Sequence, residues 1–223
     1  MHEAGTIQFA ADTHAGLKRQ HNEDCYEADP ALGLWLVADG VGGHSCGDVA
    51  SDIVRSTVRN ETAAGKNLPD AIINAHRAVL EQIGRDEAAR GMGSTIVALR
   101  LDGDNYELAW VGDSRAYLWN SRLQMLSHDH NRVRELLDKG VITPQQAAGH
   151  PERHVLTQSL GVSERMALEP GHREGSLAEN QQILLCSDGL TDELPDEMIA
   201  TILAGNDSPG AQVDALINAA LQA

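Results

Sequence analysis

Basic residues are scarce in this chain: 17 Lys and Arg stand against 33 Asp and Glu, a formal net charge of −16. That balance opposes binding to a phosphate backbone and adsorption to an anionic membrane, so neither nucleic acid nor membrane is an expected partner. Long apolar runs are lacking too. None approaches the length of a membrane span, and the first residues, MHEAGTIQ, have neither the basic nor the apolar region of a secretory signal. A cytoplasmic protein is expected. Cysteine is rare: Cys25, Cys46 and Cys186 are an odd number without CxxC spacing. This argues against a disulfide framework or a zinc knuckle and for reduced thiols. No Pro/Gly/Ser-rich linker or charge block divides the 223 residues, which predicts one domain over residues 1–223 with one sizeable core.

What the chain does contain is a stretch running from an apolar strand into a carboxylate and then glycines. Leu34, Trp35, Leu36, Val37 and Ala38 form a short continuous apolar run, the pattern of a strand buried on both faces. Asp39 stands where that strand leaves the core. Gly40, Gly42 and Gly43 permit close backbone approach to a ligand, so Gly40 can offer its carbonyl beside the carboxylate. A helix over 45–55 is expected next, with Ser45 as its N-cap. The same logic recurs twice: Asp113 follows an apolar run over 106–112, and Asp188-Gly189 follows another over 181–187.

The remaining segments are mostly scaffold. Residues 6–11 alternate enough to predict a strand, and the polar segment after it carries Arg19 just before Asn22-Glu23-Asp24. Asp29-Pro30 marks a turn. The spacing of Ile72, His76, Val79, Leu80 and Ile83 predicts a helix over 68–88, with His76 on its core face. Strands over 93–101 and 106–112 are joined by Asp102-Gly103-Asp104-Asn105, which resembles half an EF-hand loop but lacks the distal Glu, so it reads as a hairpin turn. Further expectations are a strand over 116–119, a short helix over 132–139, a surface flap over 140–157, and helices over 195–203 and 209–221. His128, His130 and His150 lack zinc-site spacing and read as loop histidines.

Glu23, Asp24, Asp39, Asp113, Asp188 and Asp192 are six carboxylates that can converge at the ends of central strands. Crowded carboxylates repel, and hard divalent cations such as Mg²⁺ or Mn²⁺ suit an all-oxygen set. Two cations sharing a bridging Asp hold a water as hydroxide, the nucleophile of a phosphoester hydrolase. Arg19 would grip the phosphate bidentately.

R-x-x-N-E-D, V-A-D-G-V-G-G-H, G-S-T, V-G-D-S-R-A-Y and L-C-S-D-G-L-T-D occur here in that order. Together they resemble the metal-dependent protein serine/threonine phosphatases, the PPM or type 2C family, in its bacterial form, over nearly the whole chain. The resemblance implies an α+β fold, a four-layer α-β-β-α sandwich of two antiparallel sheets with metals at one end between them. It implies Asp39 as the bridging carboxylate, Gly40 as a carbonyl ligand and Asp188 as a further ligand of a pair of Mn²⁺ or Mg²⁺ ions. Glu23 and Asp24 would act near the metals, mostly through water, Asp113 and Asp192 would hold a third metal, and Arg19 would bind phosphate. Arg19 and Asp39 are thus the expected catalytic residues. The flap widens to about 130–161 and shapes substrate choice. Expected partners are phosphorylated protein substrates of a serine/threonine kinase in bacterial signalling, and a monomer is expected.

Two departures accompany the resemblance. The family pattern closes with a D-N-x-[ST] motif whose Asp ligates the metal pair, and nothing follows Leu221-Gln222-Ala223, so the C-terminal strand and its ligand are expected to be missing. Members with a His directly after D-G use it as a proposed general acid, and that position here is Val41. A phosphoprotein-binding or regulatory module on the same fold is therefore the alternative. A second alternative is a serine hydrolase, because Gly43-His44-Ser45-Cys46-Gly47 is formally G-x-S-x-G. Its Ser, however, lies six residues past the expected strand end at Asp39, and it leaves Asp39, Asp113 and Asp188 without a reason.

Overall fold

The computed structural model describes residues 7–17, 19, 21–42, 46–147, 149–162, 167–205 and 207–223. In chain order its strands are β1 (Asp24–Asp29), β2 (Leu34–Val41), β3 (Gly93–Ser94), β4 (Ile96–Asp102), β5 (Asn105–Val111), β6 (Arg115–Trp119), β7 (Leu123–Met125), β8 (Gly171–Ser176) and β9 (Gln182–Cys186). The helices are α1 (Gly47–Ala63), α2 (Leu68–Arg85), α3 (Arg132–Asp138), α4 (Pro144–Ala147), α5 (Asp188–Thr191), α6 (Asp196–Leu203) and α7 (Pro209–Gln222). One antiparallel sheet has the order β1-β2-β4-β5-β8, with β3 also pairing β2; the other is β7-β6-β9.

Period-two alternation builds the layers. Along β2, Leu34, Leu36 and Ala38 pack against Ala50, Val54 and Val58 of α1 and against Ile72 and Val79 of α2. The intervening Trp35 and Val37 face the other way, into a second core with Val97, Leu99, Leu108 and, from the facing sheet, Leu118, Ile183 and Leu185. On the outer face of the smaller sheet, Leu184 and Trp119 meet Leu194 and the α6 and α7 residues Ile199, Leu203 and Leu216. The result is the expected α-β-β-α sandwich.

Some local expectations differ from the structure. Residues 7–11 form no strand; instead the Phe9 ring packs edge-on against Trp35 with centroids 5.8 Å apart. The edge partner of β2 is β1, whose sequence DCYEAD shows little apolar alternation; its half-buried acids Glu27 and Asp29 are instead paired with Arg55 and Arg59 of α1. The Asp29 carboxylate closes the β1-β2 turn by accepting from the backbone N–H groups of Ala31 (3.1 Å) and Leu32 (3.2 Å). The other edge, β8, has the sequence GHREGS and no apolar period. It holds by backbone pairing to β5, with Gly171 and Gly175 lying under the Trp110 and Tyr106 rings, which a Cβ at either position would strike. Helix α1 starts after Cys46 and outruns residue 55; the proposed Ser45 cap lies outside the described residues. Helix α2 ends at Arg85, short of residue 88, and its N-cap Asn67 accepts from Asp70 N at 2.8 Å.

Candidate metal-binding site

The β1-β2 register sets Asp24 directly opposite Asp39, so the two side chains share one face. It is the face of Trp35 and Val37, which looks between the sheets. Asp188 begins α5 immediately after β9, a strand of the facing sheet. Both sheets thus deliver carboxyls to one end of the sandwich, and the Asp39 carboxyl is in hydrogen-bonding contact with those of Asp24 and Asp188. Burial, with the charges of Asp24 and Asp188 added, pushes Asp39 up to about 10. Burial also raises Asp24, although its carboxylate accepts from Ser187 Oγ at 2.7 Å. Asp113, buried after the positive-φ Gly112, is pushed up to about 7 by burial and then by Asp188 and Asp129. A buried set of mutually repelling oxygen donors is what a hard divalent cation neutralises, and the residues present fit such an ion.

The chain around Asp39 is held from beneath. Thr95 interrupts β3 and β4: its N–H donates to Asp39 O (2.8 Å) and its hydroxyl accepts from Asp39 N (3.2 Å) while sharing a 2.7 Å hydrogen bond with Ser114. Ser94 Oγ also donates to Asp39 O, at 3.1 Å. The motif G-S-T is therefore a brace that leaves the carboxyl oriented without using its oxygens. Gly40 N donates to Glu23 O at 3.1 Å, and Ser51 Oγ donates to the same carbonyl at 2.7 Å. Gly40 lies so close to Gly47 that a Cβ would overlap the Gly47 carbonyl, and a Cβ on Gly47 would come within 2.7 Å of Glu23 Oε1. Those two glycines let the start of α1 touch the end of β2. Arg19 is exposed, and its guanidinium meets Glu23 Oε2 at 2.7 Å beside the carboxyl cluster.

Asp192 is the C-cap of α5, one turn from Asp188, and is raised chiefly by burial and then by the Asp188 charge. Its Oδ2 lies 3.2 Å from Nδ1 of the flap residue His154. Among the described residues, His154, Asp188 and Asp192 each present a ligand atom, all within 4.8 Å of one another. Of the predicted residues, Asp24, Asp39 and Asp188 form the inner cluster. Asp113 and Asp192 couple to it through Asp188, while Glu23 and Arg19 form its rim.

Reading by motif missed several supports: Ser187 on Asp24, the brace at Thr95, and His154. Arg115 also takes a partner other than Asp113, two residues before it. It grips buried Asp129 with two nitrogens (Nε to Oδ1 at 3.0 Å, a terminal nitrogen to Oδ2 at 2.7 Å) and donates to Tyr117 OH, which in turn donates to Asp196. The loop histidines behave as such: His128 Nε2 lies 2.8 Å from Asp138 Oδ2, and His130 Nδ1 accepts from Gly112 N while its ring stacks on Trp110. The flap is pinned where it leaves the core by Arg132 N to Val155 O and Thr157 N to His130 O, each 2.8 Å. Residues 43–45, the centre of the serine-hydrolase motif, lie outside the described residues. Among those described, no helix is long and apolar enough to cross a membrane.

A family model of protein phosphatase 2C matches residues 3–136. The chain is 34% identical over 204 residues to the serine/threonine protein phosphatase PstP of Mycobacterium tuberculosis, aligning 88% of this chain with 39% of that protein, so it spans about two fifths of that relative. It is 33% identical over 222 residues to the serine/threonine phosphatase stp of Listeria welshimeri, covering 93% of this chain and 87% of that one. Among solved structures, it is similar to the catalytic domain of the serine/threonine phosphatase PstP in complex with two manganese ions. The TM-score is 0.82 and the identity 31%, over 93% of this chain and 88% of that one.

Proposed function

The chain belongs to the protein phosphatase 2C family, and from that premise we propose that it hydrolyses phosphoserine and phosphothreonine on proteins, with two divalent cations, Mn²⁺ or Mg²⁺, and a third held more weakly. The observation that carries this reading is the meeting of Asp24, Asp39 and Asp188 at one end of the sandwich, with Asp39 forced up to about 10. Asp39, the Gly40 carbonyl and Asp188 would hold the pair, with Glu23 and Asp24 near them. Asp113 and Asp192 would hold the third ion. When bound, such ions supply Lewis acidity to the phosphoryl oxygens and an acidified water.

The protein's own groups supply the rest. Ser187 and the Thr95 brace keep Asp24 and Asp39 aimed at one point. Arg19, already at the rim, would exchange its contact with Glu23 for the phosphate, where its planar guanidinium fits two oxygens. The flap over about 130–161 would contact the polypeptide carrying the phosphate. The setting proposed is bacterial cytoplasmic signalling opposite a serine/threonine kinase, with residues 1–223 acting as one monomeric phosphatase domain.

The test is phosphate release from a phosphothreonine peptide with Mn²⁺, with chelator, and with Asp39→Asn. Release that needs Mn²⁺ and is lost in the variant supports the proposal. Mn²⁺ binding with tight phosphopeptide binding and no turnover would instead favour the binding-module alternative.

A further inference from the structure

We infer that the flap residue His154 joins Asp192 as a ligand of the third ion, with Asp188 close beside it, in a mixed nitrogen and oxygen site that ties the flap to the carboxyl cluster and selects Mn²⁺ over Mg²⁺. The inference rests on the metal-phosphatase reading above and extends it to a residue outside the six predicted carboxylates. The geometry comes first. Asp188 and Asp192 stand four residues apart on α5, on one face and one turn apart. His154 approaches from a different segment, its Nδ1 3.2 Å from Asp192 Oδ2, and the three ligand atoms span no more than 4.8 Å. Donors that close, from separate chain segments, can share one ion with small adjustments.

Placement is the second argument. His154 immediately precedes Val155, whose carbonyl accepts from Arg132 N, and the segment bridges Asn131 to Leu156. The backbone beside the imidazole is therefore tied to the loop after Asp129, while the imidazole itself remains half exposed. An ion between His154 and α5 would add a second tie, so flap position and metal occupancy become linked quantities.

Chemistry sets the preference. Mn²⁺ is suited mainly by oxygen but, as a transition ion, accepts an imidazole nitrogen more readily than Mg²⁺, which demands oxygen and keeps its waters. The carboxyls alone would discriminate little. Replacing the imidazole by an amide of similar reach should therefore weaken Mn²⁺ more than Mg²⁺.

The experiment counts bound Mn²⁺ by electron paramagnetic resonance of the free ion, for the wild type, His154→Asn and Asp39→Asn, with Mg²⁺ as competitor. Circular dichroism checks folding. Protease cleavage within residues 149–158 is followed with and without Mn²⁺. Expected for His154→Asn is a loss of about tenfold or more in the affinity of the weakest-bound Mn²⁺, with Mg²⁺ binding changed much less. Mn²⁺ should protect the flap from cleavage in the wild type and not in that variant. If His154→Asn binds Mn²⁺ with unchanged number and affinity while Asp39→Asn loses its ions, this inference is overturned and the phosphatase reading stands. If the wild type binds no Mn²⁺ at all, both fall.

Discussion

At the scale of single residues, Asp39 is a costly group to ionise in the metal-free protein. Its ordinary value is 3.8, and burial with its acidic neighbours lifts it to about 10. Between those values the folded protein holds a proton that the unfolded chain has released, so the stability this group contributes falls as pH rises across the window. Metal-free Asp39→Asn should therefore melt higher than metal-free wild type, by roughly 3 °C or more at pH 8 for a chain of this size, with the gap widening from pH 6 to 9. It should also lose the rise in melting temperature that Mn²⁺ gives the wild type. Calorimetry over that range decides it, and a variant that melts lower at every pH would contradict this assignment of strain. Arg19 is the opposite case, exposed and ion-paired only at the rim. Arg19→Lys keeps the charge and loses the two-pronged geometry, so kcat/KM on a phosphopeptide should fall roughly tenfold or more while melting moves little. Steady-state kinetics beside a thermal scan would show whether the two effects separate in this way.

At the scale of elements, two look-alike dipeptides have different physics. Asp188-Gly189 follows β9, whereas Asp39-Gly40 lies within β2, which runs past the expected end at Asp39 to Val41, and only Gly40 is pressed against another backbone. A Cβ on Gly189 would meet nothing nearer than Ser187 Oγ at 3.6 Å, an ordinary contact. Gly40→Ala should cost about 3 kcal/mol or more, since β2 and α1 would have to part. Gly189→Ala lies within helix α5 and should stay within about 1 kcal/mol of wild type. Urea unfolding of both variants tests this, and equal costs would refute it. Asp129 belongs to the same scale because it fastens the loop after β7 to β6 through Arg115. Its removal would leave a largely buried guanidinium unpaired, at an expected cost of about 3–5 kcal/mol, again readable as a lower urea midpoint.

For the whole molecule the governing quantity is the net charge of −16. Like charge across a compact body destabilises it, and mobile ions screen that repulsion. The melting temperature of the metal-free protein should rise as NaCl goes from about 0.05 to 0.3 M, where the screening length shortens toward 10 Å and below. A flat or falling curve would mean that local ion pairs such as Arg55 with Glu27 and Arg59 with Asp29 outweigh the global field.

What the sequence determined by itself follows from signals that live within a few residues. The apolar run before Asp39 and the three-and-four spacing of Ile72, His76, Val79 and Leu80 report burial directly, because a buried face recurs at the period of the element that carries it. The carboxylates at strand ends were legible for the same reason: an acid just past an apolar run has to stand at the border of a core. What the tertiary structure decided is everything set by partners distant in sequence. Ser187 reaches Asp24 across 163 positions, Arg115 passes over nearby Asp113 to take Asp129, and His154 arrives beside Asp192 from the flap. The edge strands β1 and β8 also belong here. Their sequences DCYEAD and GHREGS hold too few apolar residues to show a period, and backbone pairing to β2 and β5 makes them strands.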